Sequence, residues 1–341
     1  MAKYIPSIRI SPNRPTVGTN LGFLAELSGT WEGQGFNLIA RPDKQGGSPL
    51  FLELNQTFET LSIIPIASSI PNRGNEVDDI ELFGLTYLQK VSDSTTKGAL
   101  HIEPGIWIHI PSRDSDDGKT QSVARMGNIP HGNSLLAQGT AIIVDPVNNP
   151  FDPDAVSAAN TAPFNVGKPM PVPGTLGGFP PYDLSDLTPA SVNFRTPAGD
   201  SPAIPLPTTI LGVPVQDVIL DPTKLLTAAL SNQTIKSMVV INVSTVASIP
   251  TLGPKPLTFA GGGGGIENIP FLQTNADAAT VFATFWIETI AGATPADDFQ
   301  QLQYVQTVFL NFPVIKPPAA PELLSWPHVS VATLRKTFGG Q

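Results

Sequence analysis

Apolar and β-branched residues come in short runs along this chain, each broken by Gly, Pro, Asp or Asn. Runs of this kind predict strands. They fall at 29–39, 50–60, 83–91, 100–110 and 135–144, and again at 237–246, 279–290, 303–312 and 327–336. Between the two sets, 145–235 loses the strand texture and is dense in Pro and Gly, as in "GKPMPVPGTLGGFPPYD". A helix is predicted there at 221–231, with Asp221 as cap and Pro222 at the first helical position. The simplest assembly joins 20–144 and 236–341 into one all-β domain, an antiparallel barrel of about ten strands. Residues 1–19 form an N-terminal arm. Residues 145–235 are a Pro/Gly-rich insertion that packs on the barrel or caps it, because compact domains rarely hold a bare connection of that length.

Composition narrows the function classes. The 36 Pro and 30 Gly among 341 residues argue against a helical bundle. With 19 basic and 28 acidic groups the net charge is −9, so the chain lacks the polybasic footprint of a nucleic-acid partner. The absence of cysteine excludes disulfides, zinc–thiolate sites and iron–sulfur clusters. The first residues lack the apolar core of an export signal, and no apolar run approaches the ~18 residues of a membrane span. The expectation is a cytoplasmic protein with no membrane span.

Four histidines limit where imidazole chemistry can sit. Strand alternation puts His101, Glu103, Gly105, Trp107 and His109 on one face of 100–110. In the last strand Trp326, His328, Ser330, Ala332 and Leu334 share a face. Both faces of these strands carry apolar groups, so alternation does not say which face is interior. His101 and Glu103 form either an acid–base couple or a structural pair. His109 is expected exposed near the rim, and His131 lies in a turn that can reach a cofactor at a barrel mouth. "GGGGG" at 261–265 reads as a flexible turn, since no helix follows it to make a phosphate loop. The acidic runs around Asp78 and Asp116 read as solvated loop charge.

The segment "LSGTWEGQG" at 27–35 has the Gly29-x-Trp31 opening seen in calycin barrels. With "LHIEPGIWIHIP" at 100–111 and "WPHVSVATLRK" at 326–336, the chain resembles the haem-binding nitrobindins within that group. His101-Ile-Glu103-Pro-Gly105 matches their middle motif, and His328 with Arg335 matches their closing one. The resemblance implies a calycin-like barrel in which Trp31 plugs one end and Arg335 packs across it. It also implies haem b with its iron held by His328 as the axial ligand, and with His101, Trp107, Trp326 and His131 around the porphyrin. A ferric haem so held would handle nitric oxide, peroxynitrite or peroxide. As an enzyme it would be a peroxynitrite isomerase or peroxidase-like, with His101 and Glu103 as the catalytic pair. Nitrobindins are about half this length and have no counterpart of 145–235. Two other functions stay open: a haem-free carrier of a hydrophobic small molecule, and a cofactor-free cavity enzyme using His101 and Glu103. The partners expected are haem and a small-molecule ligand, and a homo-oligomer is left open.

Overall fold

A computed structural model of the chain describes residues 18–42, 51–76, 78–153, 163–167, 169, 192–194, 207–250, 256–314 and 322–337. The arm assigned to 1–19 falls outside these but for its last two residues, as does much of the stretch between 154 and 206.

Ten long strands follow one another round a closed antiparallel barrel. They are β1 (Gly29–Arg41), β2 (Phe51–Pro65), β3 (Ile80–Asp93), β4 (Ala99–His109), β5 (Thr120–Ile129), β6 (Asn133–Val144), β7 (Ile235–Ser244), β8 (Asp277–Ile290), β9 (Phe299–Val314) and β10 (Glu322–Thr337). Each pairs with the next, and β10 closes on β1 in a register running from Thr30 opposite Thr337 to Ile39 opposite His328. Closure gives each of the ten long strands a paired neighbour on both sides. Nine of these strands stand where the apolar runs predict them. The tenth, β5, is not announced by its sequence, because its inward positions include Gln121, Arg125 and Gly127.

Alternation then sorts the side chains. Trp31, Leu61, Leu85, Trp107, Phe285 and Leu334 point inward and pack one half of the interior into a dry core. A 3-10 helix at Gly22–Leu27 seals that end with buried Leu24 and Leu27, and the Trp31 indole donates to the Leu27 carbonyl at 2.8 Å. The cation over Trp31 is Lys336, with Nζ 4.9 Å from the ring centroid. The expectation for Arg335 is corrected here. Trp31 and Lys336 are cross-strand partners, so the neighbouring Arg335 points the other way and lies over Phe299 at 3.9 Å.

Phe36, Leu38, Val305, Val329 and Val331 are buried on the outside of the barrel. They are covered by two short helices, α1 (Val215–Leu220) and α2 (Lys224–Ala229), through Val218, Ile219, Leu225 and Leu226. This part of the insertion packs on the barrel wall, which is why the strands are apolar on both faces. The helix expected at 221–231 is shorter than predicted. Asp221 accepts from the Thr223 backbone and hydroxyl at 3.0 and 2.6 Å and orders the turn ahead of α2.

The glycine run also departs from expectation. Gly264–Asn268 is a strand paired with β6 from Ala137 to Asn133, where β7 no longer accompanies it. Gly264 and Gly265 take φ of +120° and +154°, which residues with a Cβ rarely adopt. A helix, α3 (Pro270–Asn275), follows and lies across the open end of the barrel. No helix among the described residues is long and apolar enough to cross a membrane.

Candidate functional site

Beneath α3 the barrel interior is hollow. A cavity of about 330 Å³ occupies the end opposite the Trp31 plug. Its lining mixes polar side chains with apolar ones, the latter running from Ile39, Leu100, Ile129 and Val308 to Leu272 and Ala276 of the α3 cap. The cap is anchored where the Ile269 amide donates to the Gly132 carbonyl at 2.8 Å, beside the turn that carries His131.

Three of the four histidines reach this cavity from two sides. His328 comes from β10, flanked across the sheet by Ile39 and Val308. Burial pushes its pKa down to about 4, helped by the positive charge of Arg41 and opposed by a hydrogen bond with the Ala40 backbone. The ring is therefore neutral at pH 7. Its Nε2 is sealed from solvent and, among the described residues, has no hydrogen-bond partner. Asn37 and Asn55, paired with each other across β1 and β2, stand on the same side, each with a buried amide oxygen that has no partner among the described residues.

His101 and His131 form the facing wall, their ring centroids 5.7 Å apart. Burial and the neighbouring His101 both hold the His131 pKa below the usual imidazole range. His101 Nε2 lies 3.4 Å from Glu103 Oε2, so the pair that alternation puts on one face does meet. Glu103, however, is committed elsewhere. Its Oε1 takes a 2.7 Å ion pair from Arg125 and a very short hydrogen bond from the Tyr87 hydroxyl. Burial alone would raise its pKa, but the Arg125 charge with the bonds from His101 and Tyr87 outweighs burial and brings it to about 2. A carboxylate held this far down is a fixed anion, ill suited to take up protons near neutral pH.

The other expected site residues lie apart from the cavity. Trp107 packs in the dry half, edge-on to Phe285 at 5.3 Å. Trp326 is fully buried in the cluster that joins the outer wall to the insertion helices, with Phe312 against it. Neither lines the hollow. His109 is not exposed: it is buried, with Nδ1 2.6 Å from the Asn20 carbonyl and Nε2 2.8 Å from Asp114. Asp114 also accepts from the Ser122 amide at 2.8 Å, so it is a structural residue and not a solvated loop charge.

Sequence reasoning missed the floor of the cavity. Tyr304 and Gln89 line it, and Glu59 is buried directly beneath. The Tyr304 hydroxyl donates to Glu59 Oε2 at 2.6 Å, and Gln89 Nε2 donates to both Glu59 and Tyr304 at 3.2 and 3.1 Å. Burial raises the Glu59 pKa against the pull of these bonds. Gly35, the last glycine of the opening motif, makes room for it, since a Cβ there would stand 2.7 Å from Glu59 Oε1. Among the described residues no group of three or more His, Asp or Glu comes together to hold a metal ion.

No family model matches the chain, and no curated protein matches it. Among solved structures, that of Rv2717c from M. tuberculosis is similar over 93% of this chain and 97% of that one, at 12% sequence identity and a TM-score of 0.37.

Proposed function

We propose that the protein binds haem in the barrel cavity, with His328 Nε2 as the axial ligand to iron. One observation carries the reading: a neutral imidazole nitrogen, buried and without a partner, on a ring whose hydrogen bond with the Ala40 backbone fixes its orientation. An axial histidine needs this combination, a basic nitrogen free for the metal and an acceptor for the other side of the ring. Ser330 beside it and the apolar Ile39 and Val308 suit a flat macrocycle. His101 and His131 line the same cavity from the facing wall and would be the chain's other imidazoles beside the group. Haem would supply the redox-active iron at which nitric oxide, peroxynitrite or peroxide is handled. Of the chain's own groups, Glu103 stays ionised and orients His101.

The donor chemistry fits the group, while the volume sets a condition. About 330 Å³ is at the small end of the roughly 300–1,000 Å³ of small-molecule sites. Nε2 is sealed, so α3 and the side chains over His328 must move for a porphyrin to enter. The same volume favours a second reading, a haem-free carrier of a hydrophobic small molecule, which needs no such movement.

Titration of the purified protein with haemin separates the two. Haem ligation by His328 gives a saturable Soret band that His328→Ala lowers in affinity at least a hundredfold, with circular dichroism unchanged. A band that survives the substitution, or none in the parent protein, ends the haem reading. A carrier would bind an apolar fluorescent probe equally well with and without the His328 side chain.

A further inference from the structure

We infer that the cavity floor is a hydrogen-bond donor site for an oxyanion or carbonyl oxygen, with the Tyr304 hydroxyl as the donor and Glu59 as the proton store behind it. The inference goes beyond haem binding and does not need it, because all its parts belong to the chain.

The argument starts from what surrounds Glu59. It is 0% exposed, and three neutral donors reach it: Tyr304, Gln89 and Thr57. Among the described residues no cation is paired with it. Arg125, the guanidinium inside this part of the barrel, is held by Glu103 and Tyr87 and by Gln306 at 2.6 Å. A buried carboxylate without a cation is expensive to ionise, so the neutral acid is favoured. The raised pKa of Glu59 agrees with that geometry.

Protonation changes what Tyr304 can do. With Glu59 ionised, the phenol hydrogen is held by Oε2 and is not offered to the cavity. With Glu59 protonated, the carboxyl O–H donates to Tyr304 Oη and the phenol hydrogen turns to the cavity. Gln89 still donates to Oη and keeps the ring in place. A bound acceptor strong enough to take the phenol hydrogen receives it outright. The Glu59 proton then moves to Tyr304 Oη, and Glu59 is left as the carboxylate. One proton enters the ligand, one replaces it on Tyr304, and no electrons are exchanged. A phenol backed by a neutral acid is a donor pair suited to a developing oxyanion.

The groups that face this pair are His101 from β4, which acts on Glu59 through its charge, and Arg125 from β5, which acts on Tyr304. His131, His328, Glu53 and Arg41 stand farther round the cavity or at its wall. A positive charge on either cavity histidine would also attract an anion, so the test compares variants that keep both His101 and His131.

The probe is 2,4-dinitrophenolate, the anion of a phenol acidic enough to stay ionised through the range studied, titrated into the haem-free protein and followed by its absorbance. Its affinity should fall at least tenfold as pH rises through the titration of Glu59, because the carboxylate reclaims the Tyr304 hydrogen and repels the anion. Glu59→Gln, whose amide donates to Oη at every pH, should bind with that fall abolished. Tyr304→Phe should weaken binding about tenfold or more at low pH. The idea is overturned if Glu59→Gln keeps the wild-type pH profile, if Tyr304→Phe binds as tightly as the parent, or if the parent does not bind the probe. Failure to bind haemin leaves it standing, and failure to bind the phenolate leaves the haem reading standing.

Discussion

Arg125→Met should cost about 3–5 kcal/mol of stability at pH 7, the loss expected when one partner of a buried ion pair is removed and the other stays. Arg125 is 3% exposed and spends its whole guanidinium inside the barrel, on Glu103, Tyr87 and Gln306. It also lies 5.5–5.9 Å from the ring centroids of Tyr87, Trp107 and Phe285. Methionine fills much of the same space but leaves Glu103 as a buried carboxylate with only a tyrosine and a histidine to hold it. Removing both partners is the control: Arg125→Met with Glu103→Gln should recover most of the loss. The pair has a pH signature too. Glu103 has a native pKa near 2 against an ordinary 4.5, so its contribution is complete above about pH 4.5 and is lost as pH falls towards 2. Urea unfolding of the three proteins at pH 7 and pH 3 measures both effects. A single variant within about 1 kcal/mol of the parent, or a double variant no better than the single, would refute the assignment.

That ion pair marks the limit of what the sequence discloses. The strands were legible because Val, Ile, Phe and Thr runs are what a twisted, half-buried surface selects. The His101–Glu103 pair was legible because alternation fixes which side chains share a face, whereas only the motif resemblance singles out His328. The inside of the barrel was not, for a physical reason. Packing α1 and α2 on the outer wall makes Phe36, Leu38 and Val331 as apolar as the inner residues, so the hydrophobic signal no longer points one way. The interior also carries charge. β5 turns Arg125 inward, and its sequence therefore lacks the pattern of a buried strand. Glu59 and Tyr304 are 245 residues apart, and only the closure of the sheet brings them together. The Lys336-for-Arg335 exchange over Trp31 is a one-residue matter of register, and one residue is what separates the two faces of a strand. Motif and parity place Trp107 and Trp326 at the cavity, yet each packs in a solid core on one side of it.

Glu288→Gln should make the protein more stable, and increasingly so as pH rises from about 4.5 to 8. Glu288 lies on the outward face of β8 beside Trp286 and is fully buried. Its Oε2 accepts from Gln301 Nε2 at 2.8 Å, while Oε1 is buried without a partner among the described residues. Burial pushes its pKa up to about 8, against a smaller pull from Gln301. The native chain therefore holds a proton that the unfolded chain, near 4.5, has released. Between these values the native state binds one proton more, and stability falls by about 1.4 kcal/mol per pH unit. Above about pH 8 both states are ionised and the loss is complete. At pH 7 the penalty is on the order of 3 kcal/mol, and a neutral glutamine that keeps the Gln301 contact removes it. Other groups bend the parent's profile. Glu59 adds a limb of the same sign, whereas His328, neutral in the fold with a pKa near 4, loses stability as pH falls from 6.5. These act in both proteins and cancel in the difference. The measurement is thus the gap between Glu288→Gln and parent in urea midpoint at pH 5, 6, 7 and 8. It should widen steadily with pH, and a gap of constant size would mean that Glu288 is ionised in the fold and held by a partner at its second oxygen.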